Sequence, residues 1–336
     1  MPQMSYLRMG RSGLKLSALA LGSLWFGNKV DEATARRIVD RALDAGINCV
    51  DTADIYGKDR WDTPERGPAE EMVGRLLKGR RESVVLTTKV AAVTGPGAND
   101  RGLNRKHLRQ GIEASLRRLQ TDYVDIYYLH EPDYTTPLEE TLETMNDLVR
   151  EGKVLYVGLS NFYAWQLCKA LWYTDKKGLA SIDCIQLVYS LLTRDCELEM
   201  TRLCEAEGVG INVWGALAGG MLSGKFLAYD PDAPPPPGVK PYPSTWDRRY
   251  FNAVARLKEI AGNRSLSQFA LAWCLRQPMV SSIVCGVSSV EQLEENLGAL
   301  ELELSADDLA ACDDVWKALR PPPTMFYARG YGIDFG

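Results

Sequence analysis

Short apolar runs rich in β-branched residues recur along the chain, between longer stretches whose apolar positions repeat at helical spacing. Several of these runs finish on polar side chains, as in the segments that end at Asp51, Lys89, His130 and Asn161. Strands that alternate with helices in this way are typical of βαβ units, which build parallel sheets. The pattern therefore predicts an α/β protein.

The helical stretches have recognisable starts. Asp31 is expected to cap the first helix, and Asn104 is expected to begin another. The apolar positions of the second helix form one stripe, made by Leu108, Ile112, Leu116 and Leu119. His107 lies off this stripe, so we predict that it faces solvent.

About eight βα units follow one another, which favours a closed parallel barrel, the (β/α)8 TIM barrel. A doubly wound sheet is the alternative, but no G-x-G-x-x-G follows the first strand. Two short strands are expected around the turn Gly10–Gly13. A barrel of this size is one domain and no Pro/Ser-rich linker divides the chain, so residues 1–336 are predicted to form a single domain.

Composition excludes several classes of protein. Hydrophobic residues make up 46% of the 336-residue chain, which is enough for one large core. The net charge of −5 argues against a nucleic-acid surface. No apolar run reaches membrane-spanning length and the N-terminus has no signal-peptide pattern, so we expect a cytoplasmic protein without a membrane partner.

The eight cysteines are scattered, with no C-x-x-C pair and no histidine at metal-ligand spacing. This distribution predicts reduced, mostly buried thiols rather than a disulfide framework. No metal site is expected.

Four polar residues at or after strand ends form a chemically coherent set: Asp51, Tyr56, Lys89 and His130. A barrel places its chemistry at the carboxyl ends of its strands. A nearby ammonium stabilises a phenolate and brings the pKa of the phenol closer to neutral, while an aspartate keeps that ammonium charged. A neutral imidazole can donate a hydrogen bond to a carbonyl oxygen. The set is suited to protonating a carbonyl oxygen while hydride arrives from a nicotinamide, since no side chain donates hydride.

At these residues the chain resembles the aldo-keto reductases. The motifs that carry the resemblance are Asp51-Thr-Ala-Asp-Ile-Tyr56-Gly57, Thr88-Lys89-Val90, Asp125-Ile-Tyr-Tyr-Leu-His130, Gly158-Leu-Ser-Asn-Phe162, Gln186-Leu-Val-Tyr189-Ser190, Trp214-Gly-Ala-Leu-Ala-Gly-Gly-Met-Leu-Ser-Gly-Lys225 and Gly286-Val-Ser-Ser-Val-Glu-Gln-Leu-Glu-Glu-Asn296. They extend over nearly the whole chain, and their order makes the resemblance specific. It implies a barrel with an N-terminal β-hairpin cap and additional C-terminal helices, in a branch similar to potassium-channel β-subunits and bacterial aldo-keto reductases.

The resemblance also implies a cofactor site. In the family, residues equivalent to Ser160, Asn161 and Gln186 bind the nicotinamide carboxamide, and an aromatic residue at Trp214 stacks on its ring. Lys225 helps to hold the pyrophosphate. The complete set implied for the cofactor is Ser23, Asp51, Ser160, Asn161, Gln186, Trp214, Leu217, Gly220, Ser223, Lys225, Gly286, Ser288, Gln292, Glu295 and Asn296.

The sequence departs from the family pattern in two places. Gly215 and Ala216 replace the Ser-Pro that often follows the stacking aromatic residue. Ser288 and Gln292 stand where many relatives use a cation to bind the 2′-phosphate, as in the potassium-channel β-subunit branch, whose members still bind NADP. NADPH or NADP+ is therefore expected as the cofactor in preference to NADH.

The implied substrate site comprises Trp25, Tyr56 and His130, although Trp25 is equally consistent with loop packing. The loop 57–68 is either a substrate-recognition element or a solvated excursion. Substrate choice is further expected to depend on the excursion 226–247 and the tail 327–336.

The expected reaction is NADPH-dependent reduction of an aldehyde or ketone to an alcohol, with Tyr56 as the proton donor. One alternative is reduction of the carbon–carbon double bond of an enone, for example in a nucleotide sugar. The presence of His130 argues against the steroid double-bond reducers, which have glutamate there. A redox-sensing channel β-subunit-like role is a second alternative. The expected partner is a small carbonyl compound, and the sequence leaves a homo-oligomer open.

Overall fold

A computed structural model describes residues 3–58, 66–229 and 247–320. Eight parallel strands form its centre: β3 Leu19–Gly22, β4 Cys49–Asp51, β5 Val85–Val90, β6 Val124–Leu129, β7 Val154–Ser160, β8 Ile182–Val188, β9 Gly210–Trp214 and β10 Val280–Gly286. They close into a barrel in the order β10-β3-β4-β5-β6-β7-β8-β9. This arrangement confirms the predicted (β/α)8 TIM barrel.

Helices follow the strands and surround the barrel. They are α1 Glu32–Asp44, α2 Ala69–Leu76, α3 Arg105–Leu119, α4 Leu138–Arg150, α5 Ala164–Lys177, α6 Met200–Glu207, α7 Arg248–Ala261, α8 Leu266–Leu275, α9 Val290–Leu297 and α10 Ala306–Leu319. Asp31 caps α1 as expected, since its carboxylate accepts a hydrogen bond from the Thr34 N–H. Helix α3 begins at Asn104 as expected, and the Asn104 side-chain oxygen caps it by accepting a hydrogen bond from the His107 N–H. Helices α7 and α10 pack against each other.

Strands β1 Tyr6–Arg8 and β2 Lys15–Ser17 form the antiparallel hairpin. It lies at the amino-terminal end of the barrel, where the Arg11 N–H donates to the Gly208 carbonyl at 2.7 Å. Met9 and Leu16 close a separate apolar cluster inside the barrel that includes Ile126 and Tyr128. The hairpin therefore caps this end, as expected from the resemblance.

The larger part of the core lies between the barrel and the helices. Trp273, Tyr127 and Phe269 are among its largest fully buried side chains. None of the helices in the described ranges has the combined length and apolarity that crossing a bilayer requires. All eight cysteines are free thiols, as predicted.

His107 is only 1% exposed, so the prediction that it faces solvent is wrong. Helix α3 is buried over a broader face than its leucine and isoleucine stripe, because Gly111 and Ser115 are buried as well. His107 occupies the first turn of this helix, and burial, together with the charge of Arg66, lowers its pKa. The stripe of large apolar residues therefore marks only part of the face that α3 buries against the barrel.

Several segments singled out in the sequence fall partly or wholly outside the described residues. They are positions 59–65 of the loop 57–68, positions 230–246 of the excursion 226–247, and the tail 327–336.

Candidate active site

A cleft of about 1100 Å³ opens at the carboxyl ends of the barrel strands. Asp51, Tyr56 and His130 line one part of it, and Lys89 lies fully buried behind them. The four residues proposed from strand ends therefore converge on one place. They come from β4, the loop after it, β5, and the residue that follows β6.

Lys89 and Asp51 form a buried ion pair, with 2.6 Å between Nζ and Oδ2. The ammonium also donates to the Thr52 carbonyl at 2.8 Å. The other carboxylate oxygen, Oδ1, accepts hydrogen bonds from Thr87 Oγ1 at 2.7 Å and from Gln186 Nε2 at 2.9 Å. Burying a pair of charges is unfavourable unless such additional bonds satisfy them. Here both charges have several partners.

Tyr56 lies above this pair, with the Lys89 Nζ atom 4.6 Å from the centre of its ring. The His130 ring meets the Tyr56 ring edge-on, with 5.9 Å between the ring centres. A phenol, an ammonium and an imidazole are thus held within reach of one small group in the cleft.

The charge environment of Tyr56 differs from the sequence-based expectation. Burial raises the pKa of Tyr56 above its usual value, and the nearby charge of Lys89 only partly opposes this increase. The expected net lowering by Lys89 is therefore wrong for the protein alone, because loss of hydration penalises the phenolate more than the ammonium favours it.

Lys89 and His130 have the protonation states that the sequence suggested. Burial by itself lowers the pKa of Lys89, but the charges and hydrogen bonds of Asp51 and Tyr56 together outweigh it and raise the pKa above the usual value. Burial, assisted by the charge of Lys89, lowers the pKa of His130 to about 3. At neutral pH the ammonium is charged and the imidazole is neutral.

Most residues implied for the cofactor lie along the same cleft. The lining includes all of that set except Ser23, together with Trp25 of the implied substrate site. Ser23 is fully buried, and its hydroxyl has no hydrogen-bond partner in the part of the chain that the structure describes.

Asn161 connects three parts of the cleft. It follows β7 in a left-handed conformation with φ of 60°. Its amide nitrogen donates to the His130 carbonyl at 3.0 Å, and its amide oxygen accepts from the Trp214 indole N–H at 3.1 Å. Gln186, expected at the end of its strand, lies two residues before the end of β8 and reaches Asp51.

A glycine-rich turn after β9 forms another wall. Gly219 and Gly220 have φ values of 64° and 97°, which favour glycine. A Cβ atom on Gly220 would lie only 3.1 Å from the Lys225 ammonium. The turn therefore lets the ammonium of Lys225 lie against the backbone at the cleft.

The opposite end of the cleft is formed around the start of α9. The Ser288 backbone N–H donates to the Gln292 side-chain oxygen at 2.9 Å. Glu295 accepts a short hydrogen bond from the Ser265 hydroxyl, and Asn296 is buried beside it. These residues form a polar corner of serine, amide and carboxylate groups.

Sequence reasoning missed several lining or supporting residues. Thr87 holds Asp51, and its place two residues before Lys89 on the same strand face was a usable signal. Lys29 lies 4.1 Å above the Trp25 ring at the cleft, and nothing local in the sequence predicts this position. Glu291 also lines the cleft, and so do Phe226 and Tyr229, which belong to the excursion 226–247 named from the sequence.

The fold and this site define a (β/α)8 barrel with ionisable groups gathered at the carboxyl ends of its strands. The sequence model described as the Aldo/keto reductase family matches residues 18–317, and the chain belongs to this family. It is an NAD(P)H-dependent oxidoreductase.

Individual relatives agree with this assignment. The chain is 38% identical over 320 residues to the "Uncharacterized oxidoreductase YrpG" of Bacillus subtilis (strain 168), covering 93% of this chain and 96% of the relative. It is 36% identical over 310 residues to proteins named "Probable voltage-gated potassium channel subunit beta" from Arabidopsis thaliana and from Oryza sativa subsp. japonica, covering 89% of this chain and 92% of each relative. The resemblance to both branches is confirmed.

Proposed function

We propose that the protein reduces an aldehyde or ketone to an alcohol with NADPH as the reductant and Tyr56 as the proton donor. The observation that carries this proposal is the buried Lys89–Asp51 pair directly beneath the Tyr56 ring, at a cleft large enough for a cofactor and a small substrate.

The groups along the cleft fit a nicotinamide dinucleotide. Asn161 and Gln186 offer amide donors and acceptors that match a primary carboxamide. Trp214 offers an aromatic face, and Lys225 beside the glycine turn offers a cation for phosphate. When bound, this cofactor supplies the hydride.

The four catalytic candidates divide the proton chemistry. Tyr56, whose pKa is raised by burial, keeps its proton at neutral pH until a carbonyl oxygen is in reach. Lys89 stabilises the phenolate that remains after transfer, and Asp51 keeps Lys89 charged. Neutral His130 donates a hydrogen bond that orients the carbonyl oxygen.

The test is NADPH consumption with an activated aromatic aldehyde, compared between the wild type and Tyr56→Phe. Loss of the phenol removes general acid catalysis, so turnover should fall by about 10²–10⁴-fold while cofactor binding persists. Tyr163→Phe is the matched control, because Tyr163 is 63% exposed and lies away from the cleft. Wild-type turnover by Tyr56→Phe with intact NADPH binding would rule out the assignment.

The preference for NADPH over NADH rests on the polar corner at Ser288 and Gln292. These side chains offer a hydroxyl and an amide as donors to a 2′-phosphate. Comparison of turnover with NADPH and with NADH tests the preference in the same assay.

A second candidate is a redox-sensing role like that of a channel β-subunit, favoured by the similarity to relatives named as potassium channel subunits. It predicts tight NADP+ retention with very slow turnover, and co-purification with a membrane channel. Reduction of an enone is distinguished by analysing which bond of the product has been reduced.

We also place the reaction in the cytoplasm. The free thiols support this, because such thiols persist in a reducing compartment.

A further inference from the structure

A groove of about 650 Å³ lies on the outer face of helix α3, and none of its lining residues lines the catalytic cleft. One face of the helix contributes residues roughly one turn apart, including Arg109, Glu113 and Arg117. Arg66, which precedes α2, forms the other side. The small side chain of Ala114 forms part of the floor and leaves the groove open.

The groove carries more positive charge than its neighbours neutralise. Four arginines line it, and the single acidic lining residue, Glu113, is already paired with Lys153 at 2.6 Å. Arg109 is paired with Glu151 at 2.9 Å. Within residues 3–58, 66–229 and 247–320, neither Arg66 nor Arg117 makes an ion pair within 4.0 Å.

Arg66 also has an unused donor. Its Nη1 atom is buried and has no hydrogen-bond partner among the described residues, and its one side-chain hydrogen bond is a 3.5 Å contact from Nη2 to Thr94. Buried donors of this kind are normally satisfied, so this atom, which solvent does not reach, calls for an internal water. The remaining guanidinium nitrogens of Arg66 are the ones that can serve a ligand in the groove. Burial, followed by the charge of Arg118, lowers the pKa of Arg66, and the nearby carboxyl groups of Asp54 and Glu70 oppose this decrease only in part. The guanidinium groups of Arg66 and Arg118 therefore lie close enough to repel.

Arg118 keeps the floor of the groove in place. Its Nε atom donates to the buried carboxylate of Glu70 at 2.8 Å, and Glu70 accepts a second hydrogen bond from Thr88. Thr88 directly precedes Lys89, so the groove is connected by fixed hydrogen bonds to the strand that carries the catalytic lysine.

We propose that this groove binds the phosphate group of a small phosphomonoester, with Arg66 and Arg117 as its principal ligands. Guanidinium groups bind phosphate through paired, charge-assisted hydrogen bonds, and a dianion relieves the repulsion among clustered arginines. The groove is larger than a bare phosphate requires, which leaves room for the organic part of a phosphomonoester. Glycerol 3-phosphate and inorganic phosphate both present the recognised group.

The test is isothermal calorimetry of the full chain with each of these two probes, at constant ionic strength set with chloride. The wild type should show saturable one-site binding to at least one of them. Arg66→Gln/Arg117→Gln should weaken that binding by at least about tenfold, since each lost charge-assisted hydrogen bond contributes on that order. Arg118 is left unchanged because its removal would strand the buried Glu70 carboxylate.

Two control variants locate the binding. Arg256→Gln removes an arginine of α7 that is 63% exposed, and should leave phosphate binding unchanged. Lys225→Gln removes the cation of the catalytic cleft, and should also leave it unchanged if the ligand occupies the groove on α3. Tighter binding of glycerol 3-phosphate than of inorganic phosphate would support a phosphomonoester as the natural ligand.

Three results would overturn the proposal. These are no saturable binding of either probe to the folded wild type, equal binding by the double variant, or loss of binding in Lys225→Gln. The last result would place the phosphate in the catalytic cleft instead.

Discussion

Asp54 lies two residues before Tyr56, and its carboxyl group is completely buried. Neither carboxyl oxygen has a hydrogen-bond partner among the described residues. Burial, followed by the charge of Glu70, raises the pKa of Asp54 to about 8. The group therefore keeps its proton at neutral pH in the folded protein, whereas in the unfolded chain it ionises near the usual aspartate pKa of 3.8.

This difference makes folding stability depend on pH. Between about pH 4 and pH 8 the folded state binds more protons at Asp54, so the free energy of unfolding should fall as pH rises, by up to about 1.4 kcal/mol per pH unit. Asp54→Asn has no proton to lose and should show a shallower decline across this window. Urea unfolding at several pH values measures the difference.

The control for this comparison is Asp44→Asn, which alters an exposed carboxyl at the end of α1. It should keep the pH profile of the wild type. Parallel profiles for Asp54→Asn and the wild type would contradict the raised pKa of Asp54.

For single residues, the sequence identified the catalytic candidates but did not predict the direction in which the pKa of Tyr56 is shifted. Asp51, Lys89 and His130 could be found because each lies at or just after the carboxyl end of a strand. The raised pKa of Tyr56 could not be found, because it depends on how completely neighbouring segments remove water from the phenol.

Among the elements, the β1–β2 hairpin depends on one close backbone contact. Gly10 has φ of 54°, and a Cβ atom there would lie 2.3 Å from the Gly208 carbonyl oxygen. The N–H of the next residue, Arg11, donates a hydrogen bond to the same Gly208 carbonyl, which lies just before β9. A side chain at position 10 must therefore push the cap away from the barrel.

We accordingly expect Gly10→Ala to destabilise the protein, by about 1–3 kcal/mol from the strained conformation alone and further from the collision. Gly13→Ala in the same turn is the matched control, because a Cβ atom there meets nothing within 4 Å and the backbone needs no positive φ. Urea midpoints of the two variants should separate clearly. Equal midpoints would show that the hairpin adjusts without cost.

Helix α3 shows what the pattern of apolar residues in a helix can predict and what it cannot. Its start at Asn104 and its leucine stripe were correctly predicted. The burial of His107 was missed because glycine and serine positions, which carry no apolar signal, also face the barrel. Helix α3 packs closely against β5 and β6, and this contact determines which residues of the helix are buried.

For the whole molecule, binding of the cofactor should increase the free energy of unfolding. A ligand that binds only the folded state at 100 times its dissociation constant raises the free energy of unfolding by about 2.7 kcal/mol. NADP+ should therefore raise the melting temperature more than NAD+ does at the same concentration. Lys225→Gln should reduce the increase with either nucleotide, because the cation at the cleft is lost.

This comparison also tests the polar corner formed by Ser288 and Gln292. Equal stabilisation by the two nucleotides, measured by thermal unfolding, would contradict a preference based on the 2′-phosphate.

The sequence by itself determined the barrel, its hairpin, the family and the place of the catalytic candidates. These features follow from local patterns, because strand and helix periodicity and the residue at a strand end are properties of adjacent positions. That residues 1–336 form one domain stays a prediction.

Only the tertiary structure decided the raised pKa of Tyr56 and Asp54, the burial of His107, and the meeting of Arg66 with helix α3 in one groove. Each depends on neighbours that are distant along the chain. Loss of hydration and electrostatic repulsion sum over all groups that surround a side chain, so they are fixed when the segments pack together and not before.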